Sequence, residues 1–111
     1  MPQIKAVYRA ITLVEENLCA PLDVAAMATA SGYSLYYFCR IFGKFTRHSP
    51  HDYLIRRRIT EAARTTLETQ QKIVDIAFEY QFNSHEGFTR AFSRILGLSP
   101  TEVRSGHVMP A

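Results

Sequence analysis

Cysteine is scarce in this chain. Cys19 and Cys39 are too few for the disulfide framework of a small secreted scaffold, and no paired CxxC is present to grip zinc, so both read as reduced thiols. Long apolar runs are missing too. Nothing approaches the roughly 20 residues that cross a bilayer, and the opening MPQIKAVYRA lacks the basic stretch, apolar core and small-residue cleavage site of a secretory signal. These absences predict a soluble protein that stays inside the cell and does not engage a membrane. Strict apolar–polar alternation never lasts more than a few residues, which argues against half-buried strands. His48, Ser49 and His51, or Cys39 with a histidine, lack a glycine-rich nucleophile turn, a carboxylate partner and a third metal ligand at helical spacing. Neither catalysis nor a metal nor a cofactor is expected.

What is present fits one domain of 111 residues, or two very small ones, with 47% apolar residues. Thirteen Lys and Arg against ten Asp and Glu make a mild excess that names no polyanion on its own. Its placement says more. Residues 1–33 (Lys5, Arg9; Glu15, Glu16, Asp23) and 59–83 (Arg64, Lys72; Glu61, Glu68, Asp75, Glu79) are net negative. Residues 34–58 carry Arg40, Lys44, Arg47, Arg56, Arg57 and Arg58 against Asp52 alone, and residues 84–111 carry Arg90, Arg94 and Arg104 against Glu86 and Glu102. Positive charge in two blocks is what a surface facing phosphates requires, although a solvated helix face produces charge runs as well.

Helical periodicity dominates, and the chain reads as all-α with seven helices. Ile4, Val7, Tyr8, Ile11, Val14 and Leu18 mark the inner stripe of a first helix that stops before Pro21. A short Ala-rich helix over about 22–30 closes at Ser31-Gly32, and Ser34 caps a helix to about 46. Ser49-Pro50 opens a long helix to about Glu68, with Leu54, Ile59, Ala62, Ala63 and Leu67 on its buried side. After the polar Gln70-Gln71-Lys72 come a short helix over 73–80, a Ser84-capped helix to about Leu96, and a last turn at Ser99-Pro100.

Part of this pattern occurs twice. Ser34, Phe38, Arg40, Phe42 and Ser49-Pro50 return 50 residues later as Ser84, Phe88, Arg90, Phe92 and Ser99-Pro100, while Met27-Ala28 and Tyr33 return 49 later as Ile76-Ala77 and Phe82. Each copy is a short helix with a small buried Ala, a tight turn and a capped helix, the pattern of a helix-turn-helix whose second helix enters a DNA major groove. The plain alternative is a repeated helical hairpin packing on itself. At about 100 degrees per residue, Leu35, Ile41, Phe42 and Phe45 cluster around Phe38, and Tyr36, Arg40, Gly43 and Arg47 face the opposite way. In the second copy Phe88, Ala91, Phe92 and Ile95 turn inward, and Glu86, Arg90 and Ser93 face out. The same arginine returns at the same angle, near a helix N-terminus, where a guanidinium can pair with guanine O6 and N7. The predicted organisation is a first helix-turn-helix subdomain over 1–48, a connecting helix over 49–69, and a second subdomain over 70–111.

With these residues in place the chain resembles the AraC/XylS family of bacterial transcriptional regulators over about Ala6 to Arg104. The likeness is carried by SGYSLYYFCRIFGKFTRHSPHDYLIRRRITEAARTTL and, closer to the family signature, by IVDIAFEYQFNSHEGFTRAFSRILGLSP. It implies base reading by Leu35, Tyr36, Cys39 and Arg40 on the first recognition helix and by His85, Glu86, Thr89 and Arg90 on the second. Periodicity agrees for Tyr36, Arg40, Glu86 and Arg90, whereas Leu35 and His85 lie nearer the inner side at the helix mouth. Cys39 has a second reading as a small flank residue, and Glu86 a second reading as a complement to the helix dipole. Phosphates are expected on Ser34, Ser84, Lys44, Arg94 and some of Arg47, Arg56 and Arg57. Arg58 stands at a position often structural in the family. Gln81 replaces the first turn's Gly32, Gly87 is a weak helix former, and Val103 stands where an aromatic is usual.

The resemblance implies double-stranded promoter DNA as partner, a monomer reading an asymmetric site, RNA polymerase as a further partner, and a cytoplasmic, nucleoid-associated location. The other readings are a protein-binding helical module or a basic helix at a membrane surface, and the DNA-binding piece of a longer ligand-sensing regulator.

Overall fold

The computed structural model describes residues 2–106, and among them it is all-α: α1 (Pro2–Glu16), α2 (Val24–Ser31), α3 (Leu35–Thr46), α4 (Pro50–Glu68), α5 (Ile73–Glu79), α6 (His85–Leu96) and α7 (Pro100–Arg104). None of these helices is long and apolar enough to cross a membrane.

Local chemistry explains most boundaries. Side-chain oxygens of Asp23, Ser34, Ser49, Ser84 and Ser99 each accept the backbone N–H three residues on, at 2.8 to 3.2 Å, satisfying donors that a helix start leaves without partners. Ser99 and Glu102 complete a reciprocal capping box around Pro100. α5 has no such bond: Lys72, the residue before its first turn, makes no side-chain cap. Gly32 ends α2 in the left-handed region at φ 82°, and at the corresponding turn of the second copy Gln81 takes φ 72°.

The chain divides inside α4 into two compact units, one ending at Arg57 and the other beginning at Arg58. In the first, Ala6, Val7, Ala10 and Val14 of α1 bury with Met27 and Ala28 of α2, Phe38, Ile41 and Phe42 of α3, and Leu54 of α4. The Phe42 ring meets Phe38 at 5.6 Å and, edge-on, Tyr53 at 5.5 Å. In the second, the buried set is Ile59, Ala62, Ala63, Thr66, Ile76, Ala77, Tyr80, Phe88, Ala91, Phe92 and Val103. The Phe88 ring meets Phe82 at 5.2 Å and Phe92 at 5.5 Å. The paired Ala of each short helix, Ala28 and Ala77, is buried as expected.

Several large apolar residues depart from the expected core. Ile4, Tyr8, Leu35, Phe45 and Leu67 are exposed, and Ile11, Leu18 and Ile95 are half-buried. On α1 the covered stripe runs through the small residues Ala6 and Ala10, which allow close helix approach. Ile4, Tyr8, Ile11 and Phe45 instead line an open apolar hollow with Val7. On α4 Thr66 takes the place expected of Leu67, its hydroxyl satisfied by the Ala62 carbonyl at 2.8 Å.

Candidate nucleic-acid interface

α3 and α6 have the same construction. Each runs for twelve residues from a serine cap and presents an arginine at its sixth position, Arg40 and Arg90, on the exposed side. Phe38, Ile41 and Phe42, and likewise Phe88, Ala91 and Phe92, face inward and so point the arginines outward. On α3 the structure leaves Leu35, Tyr36, Arg40 and Lys44 exposed, with Arg47 just beyond the last turn, and half-buries Cys39. On α6 it leaves His85, Glu86, Arg90 and Arg94 exposed and half-buries Thr89. Within each unit, then, the residues expected to read bases share one helix, all of them exposed but the half-buried Cys39 and Thr89.

Ser34 and Ser84 spend their side-chain oxygens as acceptors for Tyr37 N–H at 3.2 Å and Gly87 N–H at 3.0 Å. Their hydroxyl hydrogens and the other first-turn N–H groups are what an approaching phosphate oxygen would meet. The Arg40 Nη1 donates to the Tyr36 phenol oxygen at 3.3 Å, with the guanidinium 5.8 Å from the Tyr36 ring centre. Lys44 lies 5.6 Å from the Phe45 ring centre. Arg47 holds φ 64° while its N–H bonds the Gly43 carbonyl at 2.9 Å, and the corresponding end of α6 is Gly97 at φ 78°. A Cβ on Gly87 would come within 3.0 Å of the Ser84 hydroxyl oxygen.

Arg56, Arg57, Arg58 and Arg104 are engaged with the protein. Arg57 grips Glu15 of α1 through Nε and Nη2, the shortest contact being 2.7 Å. Arg56 Nε donates to Asp52 at 2.7 Å, and the same carboxylate oxygen lies 2.9 Å from His48 Nδ1. The Arg56 guanidinium holds Asp52 below the ordinary aspartate range, against the opposing push of burial and with help from His48. Arg58 is 5% exposed, which answers its position with a structural role. Arg104 donates to the Thr66 and Thr69 carbonyls at 3.2 Å each, where α4 ends and a positive charge suits the helix dipole.

Sequence reasoning missed Tyr37. Its hydroxyl accepts from Gln3 at 2.6 Å and its ring meets Tyr33 at 5.1 Å, tying the recognition helix to the start of α1. No periodicity signals a bond across 34 residues. The His48–Asp52–Arg56 chain corrects the expectation that His48 has no carboxylate partner: Asp52 lies 2.9 Å from its Nδ1, and the spacing of four along one helix face was the signal that could have shown it. Both cysteines are thiols, Cys19 exposed and Cys39 half-buried, and no group of three or more metal-ligating side chains occurs among the described residues.

Comparison with known proteins agrees with this construction. A family model described as a helix-turn-helix domain matches residues 27–106. The transcriptional activator AarP of Providencia stuartii is 34% identical over 102 residues, which cover 92% of this chain and 76% of AarP. The transcriptional regulator YbfP of Bacillus subtilis is 36% identical over 101 residues, 91% of this chain but 34% of YbfP. Among solved structures, the DNA-binding domain of AdpA, described as a global transcriptional factor and crystallised with a target DNA, superposes with a TM-score of 0.84 at 26% identity, covering 89% of each chain.

Proposed function

The chain belongs to the AraC/XylS family of helix-turn-helix transcriptional regulators, and on that premise we propose that it binds an asymmetric promoter site as a monomer, α3 and α6 each reading one major-groove segment. Sequence-specific DNA binding is its function; the division of labour among residues is the proposal. The observation that carries it is the recurrence of an exposed arginine at the sixth position of two serine-capped helices. Arg40 and Arg90 pair with guanine O6 and N7, while Leu35, Tyr36, Cys39, His85, Glu86 and Thr89 border the same base edges. Ser34, Lys44, Arg47, Ser84 and Arg94 hold phosphates and set the register. Arg56 and Arg57, engaged with Asp52 and Glu15, add positive potential and brace α4.

Two reading helices in one chain suit two groove segments about one DNA turn, roughly 34 Å, apart. Because the units repeat head to tail in the sequence, the site has a direction. The outcome is transcriptional activation through RNA polymerase, in line with the activator name carried by AarP. A second reading, the DNA-binding part of a longer regulator, is favoured by YbfP, of whose length this chain spans about a third.

Selection of bound duplexes from a random pool tests this. One non-palindromic consensus in two blocks, bound one chain per duplex, is the expected result; a palindrome or no consensus overturns it. On the selected site Arg40→Ala and Arg90→Ala should each cost about 1 to 3 kcal/mol and relax preference at one base pair, whereas Lys44→Ala should weaken specific and random duplex alike. Equal losses on both duplexes from an arginine variant would remove that arginine from the base-reading set.

A further inference from the structure

The two outward arginines are not held alike. Arg40 donates from Nη1 to the Tyr36 phenol oxygen at 3.3 Å and lies 5.8 Å from the centre of that ring. Four residues separate the pair, the spacing at which side chains meet on a helix surface. At the same position of α6, Arg90 follows Glu86 by four residues and makes no hydrogen bond, ion pair or ring contact among the described residues. Tyr36 is 72% exposed, so its side chain adds nothing to the core, and its phenol end and its ring face are both turned to the one guanidinium.

We propose that Tyr36, though it borders the base edges, serves recognition through Arg40 and not by a base contact of its own: it is a positioning residue that aims the guanidinium before DNA arrives; this rests on the reading of Arg40 as a base-reading arginine. A guanidinium carries five N–H donors in a planar fork, so the bond to Tyr36 leaves others to meet a base. A bidentate pair with guanine demands one orientation of a long, rotamer-rich side chain. The hydrogen bond restricts rotation of the fork and the ring restricts its swing, so part of that ordering precedes binding. Only a base that accepts both bonds in that orientation gains from it. Tyr36 therefore acts on discrimination at Arg40's base pair.

The test measures binding of the whole chain, at one salt concentration, to duplexes in which each base pair of the selected site is changed in turn. The proteins are the wild type, Tyr36→Phe, Tyr36→Ala, Arg40→Ala and the double variant Tyr36→Ala/Arg40→Ala, each checked for wild-type helix content and melting. Tyr36→Ala is expected to lower discrimination about threefold to tenfold at the same base pair that Arg40→Ala flattens. Tyr36→Phe, which keeps the ring and loses the phenol oxygen, should lie between, and the double variant should be no worse than Arg40→Ala. Loss at a different base pair, or a double variant showing both full losses, means that Tyr36 contacts DNA independently and overturns the proposal. An unchanged Tyr36→Ala profile beside a flattened Arg40→Ala profile overturns the positioning alone. No change of preference in Arg40→Ala removes the base-reading assignment itself, and the positioning falls with it.

Discussion

Arg47 and Gln81 are the non-glycine residues held at positive φ among the described residues, at 64° and 72°. Their counterparts in the other copy are Gly97 and Gly32, which adopt the same region without a Cβ to crowd the following carbonyl. Each unit thus keeps a glycine at one turn and places a side chain at the other. A side chain retained against backbone preference points to a use for it. Arg47→Gly should raise stability by about 1 kcal/mol in urea or thermal melts while weakening binding to specific and random DNA alike. Gln81→Gly should give a similar gain with base preference unchanged. A loss of stability in either would mean that the side chain's own contacts outweigh the backbone strain. The glycine-to-glutamine exchange at the turn was visible in the sequence. That Arg47 shares this backbone state was not, because the conformation depends on where α3 stops.

Within single helices, α4 shows most clearly how charge is divided between folding and function. Its first turns carry Asp52, Arg56, Arg57 and Arg58, a run that reads as a basic patch facing phosphate. All four positions are engaged within the protein: Arg56 bonds Asp52, Arg57 bonds Glu15, and Arg58 is buried. Asp52 is the pH-sensitive member. Its carboxyl is lowered in the folded state, so its contribution is fully present above the ordinary aspartate value of 3.8 and is lost as pH falls below that toward the folded value. Asp52→Asn should flatten the acid limb of the stability–pH curve below about pH 4 and cost under about 1 kcal/mol near neutrality, since the pair is partly exposed. An unchanged acid limb would show that the pairing contributes nothing. The spacing of four made the Asp52–Arg56 pair legible in the sequence. Glu15–Arg57 spans 42 residues and needed the end of α1 to be brought beside α4 in space.

Taken whole, the molecule has two helix-turn-helix units with separate buried sets and one shared helix, α4. Tandem readers without internal two-fold symmetry in sequence should distinguish the two orientations of a site, so inverting the selected site before a reporter promoter should abolish or greatly reduce regulation. Equal regulation from both orientations would overturn the directional reading. Binding should also depend steeply on salt, with log affinity falling by about 0.9 per phosphate neutralised for each unit of log salt, and Lys44→Ala should shallow that slope by about 1. An unaltered slope would remove Lys44 from the phosphate set.

Helix starts, the doubled unit and the outward arginines follow from the amino-acid order, because serine caps, glycine turns and 3.6-residue periodicity act over a few neighbours. Which apolar residues are covered does not follow in the same way. Ala6 and Ala10 are buried while Ile4, Tyr8 and Phe45 remain open, since periodicity gives the angle of a side chain but not the depth of the neighbour it meets. The use of each cation likewise waited on packing. Arg57 and Arg104 find their partners 42 and 35 to 38 residues away, and only chain segments brought together in space decide whether a charge braces the fold or is left to meet DNA.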